Sequence, residues 1–447
     1  MPDSPRGAPA PAPGPTSRAL TSDVVLTLAG KLGVIAFQLA GTVLIARRLG
    51  PSGRGYVGVA LALLVLLQQF GSLGLVAANP YYGVKDRERL ERIVANSIAV
   101  ALVVGALLGG LTMLVRALLP ATVRGLSWLD VGLVSAAIPG ALMFLYLQSV
   151  LLGEGRMLAY NLVEAGQSAL AFVLLLVGLV AFDMRVTGSI AILAGVYWMG
   201  ALTYLALLRA QTTRVGRVDL GLLRQMMGYA FRLYVAGFLS FLIIRLDLFL
   251  VNGYLGARQA GLYGVAGAFA DGLFVLPLVI GLNVFPRVAG GAAAATSAAV
   301  FRLTVLVYGF VVLLSALLAG PLISVLYGPA FAASASLYHW LAPGVLSLGL
   351  VTVISHHFAG RGFPLQALTV WVIGLAVNLA INITFLPSAG TYIAALSSSV
   401  AYTLLLVLYL RLFARDVGGL RELIPRPREL TALARALMRR SIPLPSG

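Results

Sequence analysis

The sequence contains 447 residues, of which 60% are hydrophobic and only 11% are charged. Soluble globular domains average about a quarter charged residues, so this chain lacks the polar side chains that a fully wetted surface requires. Its apolar residues run in stretches of about 20 or more, the length that crosses a hydrocarbon layer as an α-helix. These stretches do not alternate as β-barrel strands do. We therefore predict an all-α integral membrane protein.

The formal net charge is +17, and there is no cysteine. Without cysteine, a disulfide framework and a thiolate metal site are both excluded. The three histidines, His339, His356 and His357, fall at opposite ends of one predicted span, which argues against a zinc site. A strong positive charge is found in nucleic-acid-binding proteins and also in the cytoplasmic loops of membrane proteins. We favour the loops and expect no nucleic-acid partner.

In chain order, a Pro/Ala-rich segment at residues 1–20 is predicted to be a disordered tail. Twelve apolar stretches of spanning length follow, at residues 24–46, 56–79, 93–115, 129–152, 157–181, 186–208, 227–252, 262–286, 303–327, 337–358, 365–386 and 391–413. The last segment, residues 414–447, is a basic tail. Within it, residues 429–440 have the pattern of an interfacial helix that binds anionic lipids, and a frayed tail is the alternative.

Orientation is predicted from the distribution of lysine and arginine. With the N-terminus in the cytoplasm, the inner segments hold 22 of these residues, the outer loops hold seven and the spans hold three. Cytoplasmic loops carry the excess of positive charge in membrane proteins. We therefore predict a multi-pass protein of the bacterial inner membrane with both termini in the cytoplasm.

An internal repeat divides the chain. The motif LGxxxxGxxGVA occupies residues 49–60 and again residues 255–266, 206 positions later. A GxG turn at residues 153–155 recurs at residues 360–362, at an offset of 207. An offset of six spans predicts two six-helix bundles in the same orientation, a plan known from transporters that bind substrate between the bundles. The alternative is that these glycines only ease helix packing.

The repeat defines the predicted domains. The first bundle is expected at residues 21–209 and the second at residues 225–413, joined by a cytoplasmic linker at residues 210–224. In such a plan the two bundles rock about a site near the middle of the membrane, so that access alternates between the two sides.

Four segments resemble the polysaccharide-transport branch of the multidrug/oligosaccharidyl-lipid/polysaccharide (MOP) exporter superfamily, which contains O-antigen and exopolysaccharide flippases. They are residues 46–55 (ARRLGPSGRG), 79–82 (NPYY), 245–263 and 359–390. The resemblance implies a MATE/MOP-like fold and a flippase that moves an undecaprenyl-diphosphate-linked oligosaccharide from the cytoplasmic to the outer leaflet. It also implies partners in the polysaccharide polymerase and glycosyltransferase machinery, with no catalytic residue and no cofactor.

Ionisable side chains inside spans cost roughly 2.5–3.5 kcal/mol each, so they are candidates for function. Lys31 and Arg232 are expected about 10 Å from the cytoplasmic end of their spans, at 1.5 Å per residue. A diphosphate stripped of water needs cations at such a depth. We predict a cationic cavity formed by these two residues with Arg245, Arg47 and Arg48. The alternative for Lys31 and Arg232 is snorkelling to the lipid headgroups.

Three acids complete the candidate set. Asp271 is expected at the depth of Arg245 on the next span, which predicts an ion pair. Asp247 lies two residues from Arg245 and so faces elsewhere on the helix, where it either couples transport to H⁺ or Na⁺ or has a structural role. Glu164 is a third acid inside a span. Two other functions stay open, a cation-coupled multidrug exporter of the same fold and a membrane glycosyltransferase, polymerase or ligase acting on the same lipid.

Overall fold

The computed structural model describes residues 17–83, 87–210, 216–289, 294–361, 364–426 and 429. For some residues in those ranges only the backbone is described, and not the side chain: 17–29, 31, 32, 83, 87, 88, 121, 122, 228–233, 236, 282, 283, 285–287 and 289.

Throughout the described ranges, all regular secondary structure is helical. Thirteen α-helices occur there, with short 3-10 turns between some of them: α1 (Ser17–Gly71), α2 (Leu75–Gly83), α3 (Arg87–Leu118), α4 (Trp128–Gly153), α5 (Met157–Val180), α6 (Val186–Arg209), α7 (Leu220–Leu255), α8 (Ala257–Leu273), α9 (Val275–Ala289), α10 (Ala294–Tyr327), α11 (Ala332–Gly360), α12 (Leu365–Ala389) and α13 (Tyr392–Val417).

Among the described residues, eleven helical segments are long and apolar enough to cross a membrane. The first of them, Gly33–Gly71, is 39 residues long and contains a non-helical residue, Gly50. A membrane span needs about 20 residues. This segment therefore accounts for two spans, and the protein is a multi-pass membrane protein with the predicted number of crossings.

Single glycines replace two of the predicted loops. Gly50 has φ 67° and ψ −175°, and it joins two helices within α1. Gly256, 206 residues later, has φ 84° and ψ 174° and joins α7 to α8. A positive φ is accessible to glycine without steric cost, so one residue can turn the chain. The loops predicted at residues 47–55 and 253–261 are therefore wrong, whereas the repeat is confirmed by the matching geometry.

Other boundaries also differ from those predicted. Helix α1 begins at Ser17, so the tail predicted at residues 1–20 ends in helix, and the residues before 17 lie outside the described ranges. Helix α7 begins at Leu220, inside the predicted linker. The predicted eighth span consists of two helices, α8 and α9, which meet at Phe274. Of the interfacial helix predicted at residues 429–440, only residue 429 is described.

The helices pack as two six-span bundles. In the first bundle, α4 packs against α3 and α6, and α1 packs against α5. In the second, α11 packs against α9, α10 and α13, and α13 also packs against α12. The most extensive contact between the bundles joins α1 to α8. Those are the two helices that carry the repeated glycine motif, so the repeat lies at the boundary between the bundles.

The contact between α1 and α8 is a direct approach of two backbones. A β-carbon placed on Gly55 would lie 1.8 Å from the carbonyl oxygen of Ala257. A β-carbon placed on Gly261 would lie 1.9 Å from the carbonyl oxygen of Pro51. The two contacts are images of each other, because Pro51 and Gly55 correspond to Ala257 and Gly261 at the offset of 206. The bundles are therefore related by a two-fold axis that runs between these helices.

Successive spans run in opposite directions, which gives the molecule two ends. The end that carries Gly50 and Gly256 is called the Gly50 end, and the opposite one, where α4 turns into α5, is called the Gly153 end. At the Gly153 end, Arg92 of α3 lies 3.2 Å from the Asp219 carboxylate, and Asp219 caps α7 by accepting from the backbone N–H of Leu222 at 2.9 Å. This N–H bond, with Arg92, holds the pKa of Asp219 below its usual range.

Candidate functional site

The candidate site lies where α1, α7 and α8 meet between the bundles. Toward the Gly153 end, the two bundles touch through aromatic side chains. The rings of Phe70 and Phe238 have centroids 4.4 Å apart, and the Tyr234 hydroxyl donates to the carbonyl oxygen of Phe70 at 2.9 Å. Toward the Gly50 end, they touch through the backbones at Gly55 and Gly261. Charged side chains of both bundles lie between these two contacts.

Arg245 and Asp271 form an ion pair at this boundary. The Arg245 Nη2 atom lies 2.9 Å from the Asp271 Oδ2 atom. Helices α7 and α8 run antiparallel after the turn at Gly256, which brings residues at matched depth together. The predicted pairing is confirmed. The two side chains remain 39% and 36% exposed, so the pair faces open space and is not sealed inside the bundle.

The exposure of this pair sets the expected cost of breaking it. We expect the Arg245→Met and Asp271→Leu variants each to lower the free energy of unfolding by about 1–3 kcal/mol, between the values for surface and buried pairs. The double variant should recover much of the loss, because it leaves no unpaired charge. Thermal or denaturant unfolding of the four proteins in one detergent measures the coupling. Strict additivity of the two single effects would show that the pair has no energetic role.

Arg47 and Arg48, two further predicted cations, lie at the Gly50 end. The Arg47 Nε atom donates to the carbonyl oxygen of Leu326 at 2.8 Å, and a second guanidinium N–H donates to that of Val325. These carbonyls belong to the last turn of α10, where a helix has unpaired acceptors and favours a cation. Arg47 therefore ties the first bundle to the second. Arg48 is exposed beside it.

Arg54 was missed as a candidate because it was assigned to a loop. The structure places it in α1, four residues after Gly50, where it is only 8% exposed. Its Nε atom is buried and has no hydrogen-bond acceptor among the described residues. The signal that could have identified it is the glycine itself, because a one-residue turn leaves the following arginine inside a span.

Asp247 lies inside the second bundle and is fully buried. Its carboxylate accepts hydrogen bonds from the Tyr263 hydroxyl at 3.0 Å, from the Asn382 amide at 2.9 Å and from the Ser398 hydroxyl. These partners come from α8, α12 and α13, so four helices converge on one carboxylate. None of the described cationic side chains forms an ion pair with it. An ionised carboxylate without a counter-ion is costly at such a site, so a proton or a bound cation would stabilise it.

The polar residues around Asp247 extend beyond its direct partners. The Asn382 amide nitrogen also lies 2.7 Å from the Ser397 hydroxyl and 3.0 Å from the carbonyl oxygen of Asn378. Its Oδ1 atom is buried and has no hydrogen-bond partner in the described part of the chain. An unpaired buried oxygen beside a carboxylate suits a hard cation, which prefers oxygen ligands. The signal in the sequence was the pair of asparagines four residues apart, which share one face of an apolar helix.

The other predicted residues do not join this group in the described part of the chain. Glu164 lies on α5, within reach of Tyr204 for an electrostatic interaction, and α5 packs against α1, α4 and α6. Lys31 lies in the first half of α1 and Arg232 in α7, but both side chains lie outside the described residues. Their predicted places in a cationic cavity stay predictions.

Comparison with known proteins defines the fold class. No protein-family model and no curated protein sequence matches the chain. Among solved structures, the chain is similar to the lipid II flippase MurJ in an inward closed conformation, with a TM-score of 0.73, 14% identity, and coverage of 95% of this chain and 94% of that one.

A multidrug resistance MATE family transporter of the MOP superfamily is also similar. Its inward-facing structure has a TM-score of 0.67, 14% identity, and coverage of 89% of this chain and 99% of that one. An outward-facing structure of a MATE family transporter of the same superfamily has a TM-score of 0.61, 14% identity, and coverage of 90% and 96%. The chain is therefore a polytopic membrane protein with the MOP-type fold of two six-helix bundles.

Proposed function

We propose that this protein is a flippase that moves an undecaprenyl-diphosphate-linked oligosaccharide across the inner membrane for polysaccharide biosynthesis. The observation that carries the proposal is the charge at the boundary between the bundles. Two described arginines, Arg54 and Arg245, lie there with one carboxylate, Asp271, and a third, Arg47, lies at the Gly50 end of the same boundary with its guanidinium bound to carbonyls of α10. A diphosphate that leaves water needs several guanidinium or ammonium donors, whereas a cationic drug needs acids.

The structural comparisons support the same proposal. The match to the lipid II flippase has a higher TM-score than the match to the inward-facing multidrug transporter, 0.73 against 0.67. In the proposed orientation, both termini face the cytoplasm and the Gly50 end faces outward. The tight contact between Gly55 and Gly261 then closes the outer side, and substrate enters from the cytoplasm between residues 21–209 and 225–413.

The proposed energy source is a proton or Na⁺ bound at Asp247. The carboxylate is buried among hydroxyl and amide groups from four helices, so its ionised form depends on a neutralising ion. Binding of that ion would change how α7 packs against α12 and α13. Because Arg245 lies two residues away on α7, a shift of this helix would also move the boundary arginine.

The second candidate is a cation-coupled multidrug exporter. The MATE-type similarity and the buried Asp247 favour it, because both are expected of a cation-driven exporter as well. The other alternative, a membrane glycosyltransferase, polymerase or ligase, has less support. Such enzymes usually carry a large outer loop with catalytic residues, whereas α3 and α4 are joined by only the segment between Leu118 and Trp128.

The test uses Lys31 and Arg232, whose predicted depth suits the first contact with the diphosphate. We expect the Lys31→Gln, Arg232→Gln double variant to lose translocation of a fluorescent undecaprenyl-diphosphate-linked oligosaccharide in proteoliposomes. Removing two charge-assisted contacts of about 1.5–3 kcal/mol each costs more than 100-fold in substrate binding. Arg232→Lys should do less damage, because it keeps the charge and loses only the bidentate geometry.

The matched control is Arg209→Gln, an exposed arginine at the end of α6 that should leave transport unchanged. Wild-type translocation by the double variant would contradict the cationic-cavity mechanism and would favour snorkelling of both side chains. Proteoliposomes that export a lipophilic cation but no lipid-linked oligosaccharide would favour the multidrug exporter.

A further inference from the structure

Two glycines turn the chain at the end of the last span. Gly418 and Gly419 follow α13 with φ of 91° and 129°, backbone conformations that glycine adopts without steric cost. The Gly419 N–H donates to the carbonyl oxygen of Ala414 at 2.8 Å, which is the bond of a Schellman cap. We call the segment that follows, residues 418–429, the C-terminal strap. Its residues 427 and 428 lie outside the described ranges.

A buried arginine of α10 holds the strap against the second bundle. The Arg302 side chain is 7% exposed, and its Nε and Nη2 atoms each lie 2.7 Å from the Glu429 Oε1 atom. Its Nη1 atom donates to the carbonyl oxygen of Glu422. Between these contacts, Leu423 is buried in the apolar cluster that contains Phe413 of α13. The strap is therefore packed onto the Gly153 end of the bundle, where the last span leaves the membrane.

The carboxylates of the chain after residue 410 are all used in ion pairs. The pairs are Glu429 with Arg302, Asp416 with Arg361, and Glu422 with Arg426. Two of these arginines, Arg302 and Arg361, come from α10 and from the end of α11, so other helices neutralise the acids of this region. Its own arginines at positions 411, 415 and 421 are exposed and form no ion pair within the described ranges. Their charge is left for a partner outside the chain.

Two of these arginines continue the lipid-facing side of α13. Val400, Thr403 and Val407 are exposed at spacings of three and four residues, which places them on one face of the helix. The exposed face of a spanning helix contacts lipid chains. Arg411 and Arg415 follow Val407 at intervals of four residues on the same face, in the last turns before the span ends. Their guanidinium groups therefore lie among the lipid headgroups.

The strap adds apolar side chains beside these charges. Leu420 is 56% exposed and Ile424 is 61% exposed, and Arg421 lies between them in the chain. Exposed apolar residues interspersed with arginine are typical of segments that lie in the membrane interface. Basic residues clustered directly after a span also attract anionic lipids, and residues 411–440 contain eight arginines.

We propose that the end of α13 and the C-terminal strap form a docking surface for anionic phospholipids of the adjacent leaflet. Lipid phosphates accept hydrogen bonds from Arg411, Arg415 and Arg421, and the side chains of Leu420 and Ile424 enter the boundary between headgroups and acyl chains. A zwitterionic lipid brings no net charge, whereas an anionic lipid balances arginines that the paired carboxylates leave free. The partner is lipid because the surface continues the lipid-facing side of α13.

This surface precedes the interfacial helix predicted at residues 429–440 and does not depend on it. It is also independent of the transported substrate, because its arginines lie on the membrane side of α13 and not between α1, α7 and α8. The proposed function and the docking surface can therefore fail separately.

Fluorescence of the purified full chain in lipid nanodiscs tests the docking surface. The chain has no cysteine, so Ile424→Cys takes a single NBD label. As phosphatidylglycerol replaces phosphatidylcholine in the disc, we expect the label emission to shift to the blue. Brominated phosphatidylglycerol should quench the label more than brominated phosphatidylcholine does, because the arginines concentrate the anionic lipid around it.

Replacing Arg411, Arg415 and Arg421 by glutamine should weaken the apparent affinity for phosphatidylglycerol by about 100-fold, since about 1 kcal/mol per arginine is about fivefold each. The titration of this triple variant should then not reach saturation. The matched control removes the same charge from exposed arginines elsewhere at the Gly153 end, by glutamine at positions 209, 217 and 224, and should titrate as the wild type does.

Salt provides an arm that needs no arginine variant, should the triple variant fail to fold. Sodium chloride at about 1 M shortens the Debye length to about 3 Å and should remove the preference for brominated phosphatidylglycerol. A label that stays in water at every lipid composition would overturn the docking surface, and so would equal quenching by the two lipids at low salt. An equal loss in the control triple variant would also overturn it, because net charge alone would then explain the effect.

Discussion

Replacing Gly55 by leucine is expected to abolish transport and to separate the two bundles at the Gly50 end. A β-carbon at Gly55 would lie 1.8 Å from the carbonyl oxygen of Ala257, and backbone atoms have no rotamer by which to move away. The helices α1 and α8 must therefore part. Helix pairs with larger side chains at their contact lie about 2 Å farther apart than those with small ones, within the usual range of 8–10 Å.

Distance measurements between spin labels can detect this separation. The chain has no cysteine, so labels on cysteines at the exposed positions Ser52 and Arg258, one on each bundle, have no background. The label distance should lengthen by about 2 Å or more in Gly55→Leu and equally in the symmetric variant Gly261→Leu. Gly267→Leu, on the same helix but with open space around its β-carbon position, is the matched control.

An unchanged distance and normal transport in Gly55→Leu would show that this contact does not persist in the membrane. A longer distance with normal transport would show that closure at the Gly50 end is not part of the cycle.

The second large effect is expected at Asp247. Asp247→Asn keeps the shape of the side chain but removes the charge that a proton or Na⁺ would neutralise. The ion gradient then no longer shifts the balance between conformations, and gradient-driven transport should fall to its uncoupled rate. For coupling free energies of 1–3 kcal/mol, the loss is about 5- to 150-fold. The fold should be as stable as before, because a neutral amide is less costly to bury than a lone carboxylate.

Transport into proteoliposomes under an imposed pH gradient, and separately under a Na⁺ gradient, identifies the ion. Asp183→Asn is the control, since Asp183 is an exposed carboxylate in the turn after α5 and its φ of 47° suits asparagine. If transport by Asp247→Asn depends on the ion gradient as transport by the wild type does, Asp247 has a structural role, which is one of the two interpretations that the sequence allows.

Local features of the sequence predicted the coarse architecture well. A membrane span is a continuous apolar run, so the number of crossings could be counted without knowledge of the fold. The Arg245–Asp271 ion pair could be predicted from depth in the membrane alone, because residues at equal depth on neighbouring antiparallel helices lie side by side. The loops around Gly50 and Gly256 were predicted wrongly for a local reason as well. Hydropathy averages over many residues and cannot detect a turn made by one glycine.

The candidate site was harder to predict than the architecture, because it is formed by contacts between the two bundles. Arg47 was predicted as a substrate cation, but its guanidinium donates to the last carbonyls of α10, nearly 280 residues away in the chain. Arg54 was overlooked, although it is the buried cation without a described partner. Nothing in the residues next to an arginine distinguishes one that caps a distant helix from one that lacks an acceptor.

The sequence by itself determined that this chain is a helical membrane protein, that it crosses the membrane about twelve times and that its halves repeat. Hydropathy and the offset of 206 residues are properties of the chain, so folding does not change them. Only the tertiary structure decided that Gly55 meets Gly261, that four helices enclose Asp247, and that Arg54 is buried without an ion-pair partner among the described residues. Those groups come from distant parts of the chain, and the packing of whole helices brings them together.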